Sequence, residues 1–180
     1  YDFAIATTTY FAPYGKVVDG NYRKVLFLDE ALSVARADFS GKRVVWVIHD
    51  DASPVSFPEI PPTPCDVIVV RGTEHKENLR VIVDAVSHAA SLASWVLNMD
   101  SDGLMAPNCL PRLLALMDKY PRNKVFGAFN TKYHGNLEDK GDHVIKASLC
   151  EHGLVFRSDC WLPKRDIALL INIDHEWGRY

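Results

Sequence analysis

The sequence predicts an α/β domain, with a mostly parallel central sheet and helices on both faces. Short apolar runs alternate with segments of helical periodicity. Two of those runs, 44–48 and 94–99, stand out, the first continuously apolar, as a strand covered on both faces must be. Each ends abruptly in acidic and small residues, the polar punctuation of a strand's carboxyl end.

Element by element, Phe3 to Tyr10 is apolar and β-branched, a first strand broken by Pro13 and Gly15. Between Val18 and Phe39, Val25, Leu28, Leu32 and Ala35 recur at helical steps, which predicts a helix that buries this stripe and keeps Arg23, Lys24, Glu30 and Arg36 wet. Ser40-Gly41 closes it. Val44 to Ile48 is a second strand running into His49-Asp50-Asp51-Ala52-Ser53. Pro54, Pro58, Pro61, Pro62 and Pro64 make the next stretch an irregular loop, and strand character resumes from Asp66 to Val70. A helix over Lys76 to Ser91 carries Leu79, Val83, Val86 and Ala90 on one stripe, and a fourth strand, Ser94 to Met99, runs into Asp100-Ser101-Asp102-Gly103. After Pro107, Leu110, Leu113, Leu114 and Met117 mark a third helix, followed by a strand from Lys124 to Thr131.

Residues His134 to Asp142 are polar, with Gly135 and Gly141, and read as a surface connection. His143 to Leu149 and Gly153 to Arg157 look like two further strands, Lys164 to Ile171 like a helix, and Asp174-His175-Glu176-Trp177 like the opening of another. Without repeats or low-complexity stretches, one domain over 1–180 is the economical reading.

Composition narrows the classes of function. With 180 residues, 48% of them apolar, and a net charge of −3, the chain can bury a full core and is not disordered. Twenty Lys and Arg against 23 Asp and Glu, without like-charge blocks, leave no electrostatic footprint for nucleic acid. No apolar run is long enough for a transmembrane segment. Cys65, Cys109, Cys150 and Cys160 are too scattered for a zinc cluster or disulfide framework, so a reducing cytoplasmic compartment is the default expectation.

Two strand ends carry acidic pairs, Asp50-Asp51 and Asp100-x-Asp102. Ligands of open α/β sheets bind at such ends. Carboxylates one residue apart in a tight turn suit Mg2+ or Mn2+ bridging phosphate oxygens, and Gly103 permits the sharp exit. An Asx turn capping the next helix accounts for the same residues in purely structural terms.

The stretches Val45-Trp46-Val47-Ile48-His49-Asp50-Asp51-Ala52-Ser53 and Trp95-Val96-Leu97-Asn98-Met99-Asp100-Ser101-Asp102-Gly103, in this order of strands and helices, resemble the family 2 glycosyltransferases. The resemblance implies the Rossmann-like glycosyltransferase-A architecture, with 1–105 as the nucleotide-sugar-binding half and 106–180 as an acceptor-side half that normally continues further. It implies a metal-dependent transfer from a nucleoside-diphosphate sugar to an acceptor hydroxyl on a glycan, lipid-linked saccharide or protein, with inversion. Thr7 then stands where a hydroxyl residue lies beside the base. Asp50 matches the acidic contact to base or ribose, and Ser53 the serine closing that turn, while Asp51 is left as a solvated loop carboxylate. Arg80, or Asn78, falls near a basic or amide position against the nucleotide. Asp102 matches the metal carboxylate, with Asp100 on metal or ribose and Ser101 beside the donor.

Inverting transfer also needs a base to take the acceptor proton. Alignment on Trp177 places Glu176 there, with Asp174 in reserve, although the same pair would serve a helix start as cap and first-turn acid. Trp46 and Trp95 read as core, and His49 as structural. Two alternatives stand beside the transferase: a haloacid dehalogenase-like Mg2+ phosphatase, whose Asp-x-Asp normally ends the first strand, and a non-catalytic nucleotide-sugar-binding homologue.

Overall fold

The structure, a computed structural model, describes residues 1–12, 20–76, 78–127, 138–139, 144–145 and 153–161. Its elements are β1 (Phe3–Thr9), α1 (Gly20–Ala35), β2 (Val44–Asp50), β3 (Asp66–Arg71), α2 (Asn78–Leu92), β4 (Trp95–Asn98), α3 (Cys109–Lys119), β5 (Val125–Gly127), β6 (Glu138–Asp139), β7 (Val144–Ile145) and β8 (Leu154–Arg157), with a 3-10 turn at Ser158–Cys160. Six strands form one sheet in the order β3-β2-β1-β4-β8-β5. The first four are mutually parallel, and β8 runs antiparallel to both β4 and β5. β6 and β7 pair separately. The predicted α/β class is therefore the observed one.

The two-residue period of the strands divides the core. Phe3 and Ile5 of β1 and Val44, Trp46 and Ile48 of β2 face Phe27, Ala31 and Val34 of α1 and Leu110 of α3. Their alternates Ala4, Ala6, Val45 and Val47, with Val96, face Ile82, Val83, Val86 and Ala89 of α2. Because β1 and β2 are covered on both sides, every apolar residue in them is buried, which explains their unbroken hydrophobic runs.

One helix is rotated from its expected orientation. The stripe of Val25, Leu28, Leu32 and Ala35 faces outward, with Val25 and Leu32 exposed, while Phe27, Glu30, Ala31 and Val34 are buried. The same steps of three and four residues generate both stripes, and the large Phe27 ring, packed against Trp46, Phe11 and Phe57, outweighs the polarity of Glu30.

The strand order positions the site. Since β1 lies between β2 and β4 and all three are parallel, the turns after β2 and β4 share one edge of the sheet, about 10 Å apart across β1. The chain steps outward from β1 through β2 to β3, then crosses back to lay β4 on the other side. That reversal opens the crevice where ligands bind in such sheets. Among the described residues, no helix is long and apolar enough to cross a membrane.

Candidate functional site

The turn after β2 is built around a carboxylate with no exposed surface. Thr9, Asp50 and Arg71 share one row across β1, β2 and β3, so the register alone places a hydroxyl and a guanidinium beside Asp50. Asp50 accepts from Thr9 Oγ1 at 3.2 Å and from Arg71 Nε at 3.0 Å, and Ser53 Oγ closes the turn by donating to it as well. Ser53 Oγ also accepts the Phe11 N–H at 2.8 Å, tying the β1 exit to the β2 exit. The backbone cooperates: the Asp50 carbonyl accepts from both Ala52 and Gly72, and Ala52 sits at φ 55. A non-glycine residue there costs about 1 to 2 kcal/mol. A Cβ on Gly72 would lie 3.2 Å from Ala52 N and from Asp50 O, so only a glycine lets the β3 exit close on this turn without displacing it.

Asp51 is equally engaged, which corrects the expectation of a solvated loop carboxylate. It is 3% exposed, accepts the Lys76 N–H at 2.9 Å and pairs with His75 Nδ1 at 2.7 Å. The His75 ring lies flat on Tyr10, centroids 4.0 Å apart. Thr7 faces the sheet interior: its hydroxyl accepts from Trp46 Nε1 at 3.0 Å and donates to Glu30 Oε1 at 2.9 Å. A strand-end threonine with no exposed surface serves the core.

The turn after β4 differs. Asp100 and Ser101 are half-exposed and Asp102 is exposed. Its backbone is held: Gly103 N–H donates to Asp100 O at 2.9 Å, and Met105 N–H donates to Ser33 Oγ of α1 at 2.9 Å. A Cβ on Gly103 would stand 3.1 Å from Asp100 O. Beneath lies Glu30, fully buried, with Oε2 lacking a hydrogen-bond partner. Burial pushes its pKa well above the usual carboxylate range; the Thr7 hydroxyl opposes this, and the Asp100 and Asp102 charges reinforce it. Burial thus favours the protonated form of Glu30 beneath an acidic turn.

Of the remaining predicted residues, Arg80 is exposed near the start of α2, and Glu176 and Asp174 lie outside the described residues, as do the placement of Trp177 and the side chain of Asn78. His49 is structural as expected: its Nε2 lies 3.2 Å from His88 Nδ1 of α2, and burial lowers its pKa, with His88 adding to the effect. Sequence reasoning missed Arg71, His75 and Glu30. The first was recoverable from the register of parallel strands ending together. His75, four residues past the end of β3, and Glu30, a charge among apolar residues, carry no local signal.

Among the described residues, no group of three or more His, Cys, Asp or Glu side chains is placed to hold a metal ion. The donor set at Asp100 and Asp102 nevertheless fits Mg2+ or Mn2+ in a nucleotide complex. Such ions take one or two carboxylates and complete their shell with phosphate oxygens and water.

A family model described as glycosyl transferase family 2 matches residues 21–179. No curated protein matches the chain. Among solved structures, TarS 1-349 of S. aureus in complex with UDP is similar over 99% of this chain and 54% of its own, at 15% identity and TM-score 0.62. The same fragment with UDP-GlcNAc matches over 88% of this chain and 46% of its own, at 15% identity and TM-score 0.58. The mannosyltransferase PcManGT from Pyrobaculum calidifontis, in complex with GDP-Man and Mn2+, matches over 87% of this chain and 45% of its own, at 15% identity and TM-score 0.53. At such identities the likeness is one of fold. The chain spans about half the length of these structures.

Proposed function

The chain belongs to glycosyl transferase family 2, and from that premise we propose that it transfers a sugar from a nucleoside-diphosphate sugar to an acceptor hydroxyl, with inversion. The observation that carries this reading is the pair of acidic turns on one sheet edge, one with its carboxylates buried and internally bonded and the other with Asp102 open to solvent. Neighbours solved with UDP, UDP-GlcNAc and GDP-Man support a nucleotide sugar as donor. The phosphatase alternative is not favoured, because the family match covers most of the chain and the Asp-x-Asp turn follows the fourth strand, β4, rather than the first.

In this reading residues 1–105 bind the donor and 106–180 face the acceptor. The nucleoside lies against the turn after β2. Asp50 serves it indirectly, by fixing Arg71 and the Ser53 turn, and Arg80 approaches it from the start of α2. Asp100, Ser101 and Asp102 face the diphosphate, with Asp102 and Asp100 holding Mn2+ or Mg2+. The bound ion supplies positive charge where the leaving diphosphate gains negative charge. Glu176, with Asp174 in reserve, takes the proton of the attacking hydroxyl as its oxygen closes on the anomeric carbon from the face opposite the departing diphosphate. The burial of Glu30 favours its protonated form, which adds no third negative charge to the turn above it.

The test is Asp102→Ala in the intact protein. Metal-dependent hydrolysis or transfer from UDP-GlcNAc or GDP-Man should fall at least about a hundredfold, the scale of losing an electrostatic stabiliser of the transition state. Unchanged turnover would remove the site. Binding of the nucleotide sugars without turnover in the wild type would instead identify a non-catalytic homologue.

A further inference from the structure

We propose that Ser33 of α1 is a positioning residue for the cation, its hydroxyl fixing the far end of the segment that carries Asp100 and Asp102, an inference that rests on the metal-turn reading above and adds a residue to it. The segment from Asp100 to Leu104 is anchored on both sides. Before it, β4 lies between β1 and β8, and the Met99 N–H donates to the Ala6 carbonyl of β1 at 2.9 Å. After it, the Met105 N–H donates to Ser33 Oγ at 2.9 Å, a bond between residues 72 positions apart. The Met99 and Met105 side chains that flank it are both buried in the core shared with α1.

The hydroxyl is itself oriented. A serine has one hydrogen to give and lone pairs to receive with. Ser33 gives its hydrogen to the Glu30 carbonyl, one helical turn back, at 2.7 Å, which leaves the oxygen to accept from Met105. That turn of the helix is tied down in turn, because Glu30 is buried and its Oε1 accepts from Thr7 of β1 at 2.9 Å. The charges of Asp100 and Asp102 reach the Glu30 carboxyl, which sets the acidic turn over this part of α1. Just past the helix, the Asp38 N–H donates to the Pro107 carbonyl at 2.8 Å, a second tie between the same two segments. Helix formation alone would be served better by alanine at position 33, so the serine has its use outside the helix. Mg2+ and Mn2+ complexes demand oxygen ligands at narrowly set positions. A turn fixed at both ends presents its carboxylates already spaced and loses little freedom when the cation arrives, whereas one loose at its far end must be ordered at each binding event.

Three variants separate positioning from simple support of the fold: Ser33→Ala loses the hydroxyl, Ser33→Cys keeps the size with a much weaker acceptor, and Ser33→Thr keeps the hydroxyl. Mn2+ binding to the intact protein in the presence of UDP, followed by the electron paramagnetic resonance signal of the free ion, reads both affinity and number of sites. Affinity should weaken about tenfold in Ser33→Ala, the lower end of what losing an outer partner of a metal ligand costs, and weaken in Ser33→Cys as well. It should stay within about threefold of wild type in Ser33→Thr, with the same number of sites in all four proteins. Wild-type affinity in both Ser33→Ala and Ser33→Cys overturns the proposal. So does a loss in Ser33→Thr as large as in Ser33→Ala, because the hydroxyl is then not what matters. Fewer sites at wild-type affinity overturn it too, since Ser33 would then serve folding alone. Asp102→Ala is the control. If that variant binds Mn2+ as the wild type does, the metal reading of the turn fails and takes this inference with it, whereas a weakened Asp102→Ala beside indifferent Ser33 variants overturns this inference alone.

Discussion

The two acidic turns lie on the same edge of the same sheet, each after a parallel strand, yet their carboxylates sit in different surroundings. Asp50 and Asp51 are 1% and 3% exposed and are tied to Thr9, Ser53, Arg71, His75 and the Lys76 amide. The Asp100 to Gly103 turn is pinned by its backbone and by Ser33, and Asp102 reaches solvent. A carboxylate whose oxygens are already taken is scaffolding, because a ligand must first break what holds it. One that is left open on a fixed backbone is available to a cation. Acidic pairs that look alike in sequence are thus told apart by where their hydrogen bonds go.

The sharpest way to break this contrast is to remove one carboxylate from each turn. Asp102→Ala should abolish turnover while shifting stability by no more than about 0.5 kcal/mol, as for surface substitutions generally. Asp50→Ala should cost about 2 to 3 kcal/mol, since it strands the Thr9 and Ser53 hydroxyls and half-exposed Arg71 around an emptied position. Urea denaturation distinguishes them. Equal stability losses in the two variants would end the division into scaffold and ligand.

The next test concerns the acid under the open turn. Folding raises the Glu30 pKa above its usual 4.5, so at pH values between the two the unfolded chain releases a proton that the folded chain keeps. Glu30 therefore contributes full stability below pH 4.5, and that contribution is lost as pH rises toward its folded value. Glu30→Gln, which retains an acceptor for Thr7, should flatten this dependence and raise Tm at pH 8 by about 2 to 4 °C for each kcal/mol recovered. A melting profile from pH 5 to 8 that matches wild type would show Glu30 ionised in the fold.

The smallest effect lies on the opposite face of the sheet. Burial and His88 lower the His49 pKa, so the folded state favours the neutral ring; that stability is present above the ordinary histidine pKa of 6.5 and is lost as pH falls through the folded value. In His88→Ala the His49 pKa should move upward, measured by NMR titration of its ring protons. An unmoved His49 would mean that burial alone sets its value.

The fold was largely legible because its signals are local. Continuous apolar runs mark β1 and β2 as doubly covered strands, prolines mark the loop after β2, and Gly103 marks the exit from β4. The face of α1 was not legible, since two stripes share one period and only packing of Phe27 on Trp46 selects between them. At the site, the positions of Asp50 and Asp102 at strand ends were readable, and Ser53 as the closing residue of its turn. The inward direction of Thr7 was not, because alternation along a strand assigns a face only after the covering helix is known.

The sequence by itself determined an alternating α/β domain with acidic turns at two strand ends, and its motifs carried the resemblance to a glycosyltransferase family. Periodicity and turn chemistry are properties of neighbours along the chain, and those suffice for that much. Only the tertiary structure decided which carboxylates are spent and which are open, that Glu30 is buried, and that Tyr10 and His75 stack. Each of these depends on strand order and register, which bring together residues tens of positions apart, and hydrogen-bond satisfaction is settled only once those partners meet.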